Sequence, residues 1–139
     1  METLFHQGEI LYIFEIATAY PLRNVGDYIN ALNKIKELRE KIKAEIQERK
    51  IDKSTLEEII KKNETGDLGK AYLKIMDSPP YDVAVCLNKI DPNALNNFFS
   101  NWIIFLRAAE TYIEKMLEIR KKIEEHHKEA KKLGIKYNN

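Results

Sequence analysis

This sequence contains few of the residues that form disulfides or sharp turns, namely cysteine, glycine and proline. Cys86 is the only cysteine, so no disulfide can form within the chain. Such sparse use of cysteine predicts a reducing, cytoplasmic setting. Five glycines and four prolines leave few points at which regular structure must break. The composition is rich in helix formers and favours an all-α fold.

The sequence also lacks a hydrophobic run long enough to cross a bilayer. The apolar stretch ILYIFEIATAY contains Glu15, and it is about half as long as the roughly 20 residues of a transmembrane helix. The N-terminus has neither the basic start nor the small-residue cleavage site of a secretory signal. We therefore expect no membrane partner.

Neither sign of charge is in excess. The chain has 23 basic and 22 acidic residues and a net charge of +1, which gives no general reason to expect nucleic acid as a partner. A hydrophobic fraction of 44% in 139 residues predicts one folded domain that spans residues 1–139. The abundance of Lys, Ile, Asn, Glu and Tyr suggests an AT-rich genome, as in a viral or archaeal protein.

Apolar residues recur at helical spacing along the whole chain and predict a bundle of about six helices. Asn24 or Asp27 is the expected N-cap of the second helix, and Ser54 with Glu57 forms a capping box for the third. The first helix is apolar nearly all round and is expected in the middle of the bundle. The predicted helices span residues 2–20, 24–49, 54–63, 67–77, 81–89 and 92–133.

The sixth predicted helix is unusually long. Asp91 is its expected N-cap, Pro92 its first residue and Gly134 its C-terminal stop. A helix of residues 92–133 would be about 63 Å long, which exceeds the roughly 37 Å width of a globule of this size. We therefore expect it to kink, or residues 120–139 to project as a charged helical extension.

Two rows of residues follow heptad spacing along this helix. The main seam alternates steps of four and three from Leu95 to Ala130, and a second row places Phe98, Phe105, Tyr112, Ile119 and His126 beside it. Such a seam predicts a coiled-coil interface with a second copy, as in a homodimer, or with another helical protein. The expected interface residues are Leu106, Ala109, Ile113, Met116, Arg120, Ile123 and His127.

Arg120 followed by His126 or His127 resembles the R-x(4–6)-H active-site motif of the HEPN family. The resemblance covers only the segment EIRKKIEEHH, and Lys121 stands where the family commonly has a polar residue such as Asn. It implies an all-helical domain that cleaves RNA without a metal, at a dimer interface where Arg binds the phosphate and His moves a proton. On a helix, His127 lies about 20° and His126 about 120° from Arg120.

Other motifs predict less. Glu124 and His127 have the spacing of a helical metal pair but supply two ligands at most, so we expect no metal and no cofactor. The segment TGDLGK resembles a phosphate-binding loop but lacks the required spacing, and Asp67 as a helix cap explains it. Cys86, within VAVCL, is expected to be a buried and inert thiol.

Basic residues on the second and sixth helices are interspersed with glutamates, which favours a solvated face over a nucleic-acid site. Weak nucleic-acid contact remains the alternative, through Lys36, Arg39, Lys43, Lys121 and Lys122. No nucleophile and base, carboxylate pair or phosphate loop is evident. The sequence therefore predicts a non-enzymatic protein that acts by protein-protein interaction or self-assembly, with the HEPN-like ribonuclease and the nucleic-acid binder as alternatives.

Overall fold

A computed structural model describes residues 4–19 and 23–134 of the chain. Within these ranges it contains six α-helices and no β-strand, which confirms the all-α prediction with a long C-terminal helix. The first helix was predicted to span residues 2–20. Both of these end residues lie outside the described residues, as do residues 135–139. The helices are α1 Gln7–Thr18, α2 Val25–Glu48, α3 Lys53–Asn63, α4 Leu68–Met76, α5 Tyr81–Leu87 and α6 Ala94–Lys132.

Side chains cap the helices much as their sequence predicts. Asn24 Oδ1 accepts a hydrogen bond from Asp27 N at 2.9 Å, and Asp67 Oδ1 accepts one from Lys70 N at 3.1 Å. The capping box at Ser54 is wrong, because Asp52 caps α3 by accepting from Ser54 N at 3.0 Å. A carboxylate adds favourable charge at the positive end of the helix, which a serine hydroxyl does not.

The start of α6 differs from its prediction by two residues. Asp91 Oδ1 accepts a hydrogen bond from Asn93 N at 3.0 Å, so Asp91 and Pro92 form a turn ahead of the helix. The helix ends as predicted, with Gly134 in a left-handed conformation at φ +77°. Between these ends α6 is one continuous helix of 39 residues, or about 58 Å.

The middle of the bundle is occupied by α6, which packs against each of the other five helices. The expectation that the first helix would be central is wrong, because Leu11 and Tyr12 of α1 are exposed. A single face of α1 is buried, and Gln7 and Phe14 on its edge contact Ile75 and Tyr72 of α4. The buried residues of α1 are Ile10, Ile13, Ile16 and Ala17.

Five aromatic side chains close one end of the bundle: Phe5, Tyr81, Phe98, Phe99 and Trp102. The Phe5 ring lies edge-on to Tyr81 at 4.9 Å and to Trp102 at 5.3 Å between ring centroids. Each such pair contributes about 0.5–1.5 kcal/mol beyond the area it buries. Phe5 thus fastens the segment before α1 to the first turns of α5 and α6.

Helices α2 and α6 run antiparallel. Arg39 donates to Glu110 at 2.6 Å, while Arg49, further along α2, lines a cavity with Leu95 near the start of α6. From Arg39 back to Val25 is about 21 Å of helix, so α2 begins level with roughly residue 124 of α6. Ala130, in the last turns of α6, is only 3% exposed.

The predicted burial of Cys86 is wrong. In α5, Tyr81 and Ala84 face the core, and Cys86 is exposed. Cys86 follows Ala84 by two residues, which on a helix is about 200° of rotation. The apolar run VAVCL therefore reflects composition and not one continuous buried face.

Candidate functional site

The predicted interface divides into two parts in the structure. Leu106, Ala109 and Ile113 have no exposed surface, because they belong to the core that the chain itself forms around α6. They have no surface to offer a partner of the folded chain. The half-buried members of the predicted set are Met116, Arg120, Ile123 and His127.

From Tyr112 onward, a stripe of α6 that shares Met116 and Ile123 with the main seam is half-buried to exposed, and we call it the outer row. Its members follow alternating steps of four and three, which keeps them on one side of a helix. Tyr112, Ile119 and Leu133 are 38%, 42% and 77% exposed, and Ala130 at the same spacing is buried. The outer row consists of Tyr112, Met116, Ile119, Ile123, His126 and Leu133.

The second row found in the sequence contains part of the outer row. Its first members, Phe98 and Phe105, are buried, whereas Tyr112, Ile119 and His126 are exposed. The row thus passes from core to surface between Phe105 and Tyr112. The signal in the sequence is the loss of phenylalanine and the appearance of lysine and glutamate on both sides of the row.

Charges of alternating sign flank the outer row. Lys115, Glu118, Lys122 and Glu125 follow one another at steps of three and four, and all four are exposed. Lys122 Nζ lies 3.6 Å from Glu118 Oε1, with both side chains about 70% exposed. Such a pair stabilises the helix by only a few tenths of a kcal/mol, so these charges remain available for a partner.

Arg120 lies at the edge of the core with an unusual environment. Its side chain is 31% exposed, yet its Nε is out of contact with solvent. Nε lies 3.5 Å from Glu124 Oε1, which is close enough for an ion pair, but no acceptor among the described residues is aligned for a hydrogen bond. Glu124 therefore offsets part of the charge that a phosphate would need.

The histidines of the HEPN-like motif lie on the same helix as Arg120. His126 is exposed and His127 is half-buried. A single chain therefore presents one arginine and two histidines along about two turns of α6. The composite site that the resemblance implies requires the same residues from a second copy.

The predicted nucleic-acid residues do not form one surface of available charge. Arg39 is held by Glu110, and Lys122 is paired with Glu118. Lys36, Lys43 and Lys121 are exposed. Two of them lie on α2 and one on α6.

A buried polar cluster beside the aromatic end was not predicted. Tyr81 Oη donates to Glu45 Oε2 at 2.6 Å, and Arg49 Nε donates to Tyr81 Oη at 2.8 Å. Burial and the hydrogen bond to Glu45 raise the pKa of Tyr81 to about 12, against the lowering effect of Arg49. The three side chains satisfy one another, so the cluster serves to anchor α5 on α2.

The part of the chain that the structure describes offers no membrane-spanning helix and no cluster of metal ligands. None of its helices is both long and apolar enough to span a membrane. No group of three or more histidine, cysteine, aspartate or glutamate side chains lies close enough together there to hold a metal ion. Comparison with known proteins returned no matching family model, no matching curated protein and no matching solved structure.

Proposed function

We propose that this protein works by binding and not by catalysis, and that its partner is a second copy held through the outer row of α6. The observation that supports the proposal is the row itself. Apolar residues continue at heptad spacing for about three turns beyond Ile113, where the chain's own core no longer covers them fully. Apolar stripes of this kind on a charged helix are typical of coiled-coil pairing.

The flanking charges support a second copy running antiparallel. In the order Lys115, Glu118, Lys122, Glu125 the signs alternate, beginning positive and ending negative. Reversing the order reverses every sign, so two such segments laid antiparallel set each lysine against a glutamate. A twofold interface needs a surface that is complementary to itself in this way.

A substitution in a twofold interface acts twice, because each residue contributes from both copies. Ile119 is the best residue to change, since it is 42% exposed and contributes little to the core. Ile119→Lys puts two charges into the apolar stripe of a dimer. Ile90→Lys is the matched control, because Ile90 is 84% exposed in the turn between α5 and α6, away from the outer row.

Light scattering on a sizing column measures the outcome. We expect the parent protein and Ile90→Lys to have twice the 16.3 kDa chain mass, and Ile119→Lys to have the mass of one chain. A parent protein that stays a single chain at high concentration contradicts the proposal. So does an Ile119→Lys variant that pairs as well as its control.

The ribonuclease remains the second candidate, and the solvent-excluded Nε of Arg120 is the observation that favours it. Buried polar groups without an aligned partner often mark functional sites. Arg120→Ala should then abolish RNA cleavage while the dimer persists, and Lys121→Ala should leave cleavage unchanged. Cleavage that survives Arg120→Ala excludes this function.

We also propose a reducing, cytoplasmic location. The exposed thiol of Cys86 would cross-link copies of the chain in an oxidising compartment. To test this location, thiols are alkylated in intact cells before lysis. Recovery of the protein with Cys86 alkylated, and therefore free in the cell, supports a reducing location. Recovery as a disulfide-linked species contradicts it.

A further inference from the structure

A trough that contains four cationic side chains lies along α6, on the side that faces α3, α4 and the loop between them. Its first part is a cavity of about 320 Å³, bounded by the end of α3, by α4 and by Asn101 of α6. Its second part, about 270 Å³, continues along α6 past Arg107 to Lys115. Thr65 and Ile104 line both parts, so the two cavities adjoin each other along α6, and we call the pair the trough.

The first part is cationic. Lys70 and Lys74 line it together with two asparagines and a threonine, and no carboxylate is among its lining residues. Lys74 Nζ donates to Asn63 Oδ1 at 3.2 Å, which holds the ammonium group at the cavity. Within residues 4–19 and 23–134, no carboxylate is within ion-pair distance of either lysine.

The second part adds two more cations, with one carboxylate in its lining and a second, Glu57, beside Arg107. Arg107 and Lys115 line it with Glu64. The Arg107 guanidinium lies 3.6 Å from Glu64 and 3.9 Å from Glu57, both longer than a hydrogen bond, and all three side chains are exposed. Exposed pairs of this length contribute little, so the planar fork of Arg107 is available to a phosphate.

Asn101 gives the trough a rigid polar floor. It is only 8% exposed, although it stands among large apolar residues in the run FFSNWIIF. Its Nδ2 donates to Ser78 Oγ at 3.2 Å, which fixes the amide plane. Asn101 also lines two further cavities, both of which include Ser78.

The length of the trough indicates the size of the ligand. From Asn101 to Lys115 along α6 is about 21 Å. That distance corresponds to on the order of three to six nucleotides of a single strand, depending on how far it is extended. The ring of Tyr112, 38% exposed, borders the second part and offers a face on which a base can stack.

We propose that this trough binds the phosphates of a nucleotide ligand, with Lys70, Lys74, Arg107 and Lys115 as the phosphate contacts. The ligand is a single strand of nucleic acid or a free nucleotide, which share this chemistry. The site is separate from the basic residues that the sequence suggested on α2 and at the end of α6. It shares Tyr112 and Lys115 with the proposed dimer surface, and the variants below leave both residues unchanged so that the two proposals are tested separately.

Fluorescence anisotropy with a labelled oligothymidylate of about eight nucleotides tests the proposal at low salt. Lys70→Gln with Lys74→Gln should weaken binding roughly tenfold or more, because it removes two phosphate contacts. The slope of log affinity against log salt should fall by about 1.4 at the same time. Lys36→Gln with Lys43→Gln is the matched control: it removes the same charge from exposed positions on α2 and should change affinity less than about twofold.

Competition by unlabelled AMP and by inorganic phosphate separates the two ligand sources. A single strand that outcompetes AMP by a wide margin assigns the trough to nucleic acid, and AMP that competes equally well assigns it to a free nucleotide. Either result supports the phosphate site. Absence of binding by both probes, or an equal loss of affinity in the two double variants, overturns it.

Discussion

The two halves of α6 belong to one continuous helix but differ in what covers them. All five other helices pack against α6, and eleven of its twelve buried residues lie between Leu95 and Ile113. After Ile113 every apolar residue of the helix except Ala130 is half-buried or exposed. The lengths of the neighbours explain this difference, because α2 has 24 residues and α6 has 39.

The comparison shows that a heptad seam predicts a packed helix face. It does not predict whether the helix packed against that face belongs to the same chain or to a partner. In the first half the seam is filled by the chain's own α2, and in the second half a stripe rotated around the helix remains uncovered. Sequence spacing alone treats both halves alike. The lengths of the other helices decide between an internal and an external seam.

The largest expected effect comes from matched isoleucines in the two halves. Ile113→Ala should lower the free energy of unfolding by about 2–5 kcal/mol, because Ile113 is fully buried and leaves a cavity. Ile119→Ala, in the exposed outer row, should cost less than about 1 kcal/mol. Urea denaturation at low protein concentration measures both values. Equal losses would show that the second half belongs to the core.

A smaller effect tests how the first half is anchored at its aromatic end. Tyr81→Phe keeps the ring contacts with Phe98 and Phe99 but removes the hydroxyl between Glu45 and Arg49. We expect the free energy of unfolding to fall by about 1–2 kcal/mol at neutral pH, as for the loss of a hydrogen bond to a charged group. Urea denaturation of both proteins at pH 7 gives this difference.

The same variant should also change the response to alkaline pH. Because folding raises the pKa of Tyr81 from 10.0 to about 12, the folded state holds this proton more tightly than the unfolded state. The resulting stability is complete below pH 10 and is lost as the pH rises through about 12. The difference in free energy of unfolding between the parent protein and Tyr81→Phe should therefore become smaller between pH 10 and about pH 12. A constant difference would contradict the raised pKa.

Local patterns predicted most of the fold. Helical spacing and single caps such as Asn24 and Asp67 are set by neighbours a few residues apart, and these predictions were confirmed. The features that were missed depend on distant residues. Glu45 and Tyr81 are 36 positions apart, and Asn101 meets Ser78 across 23. Nothing local in the sequence marks such pairs.

The candidate sites were predictable to the same extent. The second row contained Tyr112, Ile119 and His126, but the predicted interface residues followed the main seam. Which of the two rows is exposed depends on where the covering helices end. The trough could not be found from the sequence, because its lysines on α4 and its asparagine on α6 belong to separate segments. The segment TGDLGK drew attention to Lys70 for another reason, as part of a loop motif that the helix cap at Asp67 explains.

The smallest expected effect compares one arginine contact in each half of α6. Arg39 makes a hydrogen bond of 2.6 Å to Glu110 in the first half, whereas Arg120 has an unaligned contact of 3.5 Å to Glu124 in the second. Arg39→Met should therefore cost about 0.5–1 kcal/mol. Arg120→Met should be neutral or stabilise the fold by up to about 1 kcal/mol, because it removes a solvent-excluded nitrogen without a hydrogen bond and keeps an apolar stem of similar length.

Both arginine variants should be measured in the Ile119→Lys background, which removes any contribution of Arg120 from a dimer interface. Thermal and urea denaturation then report the single chain. Opposite signs for the two substitutions would confirm that the ends of α6 differ in how well their charges are satisfied. A loss at Arg120 as large as the loss at Arg39 would mean that Glu124 holds the guanidinium as firmly as Glu110 does. The second half of α6 would then be as well fixed by polar contacts as the first, and its open stripe would be confined to the outer row.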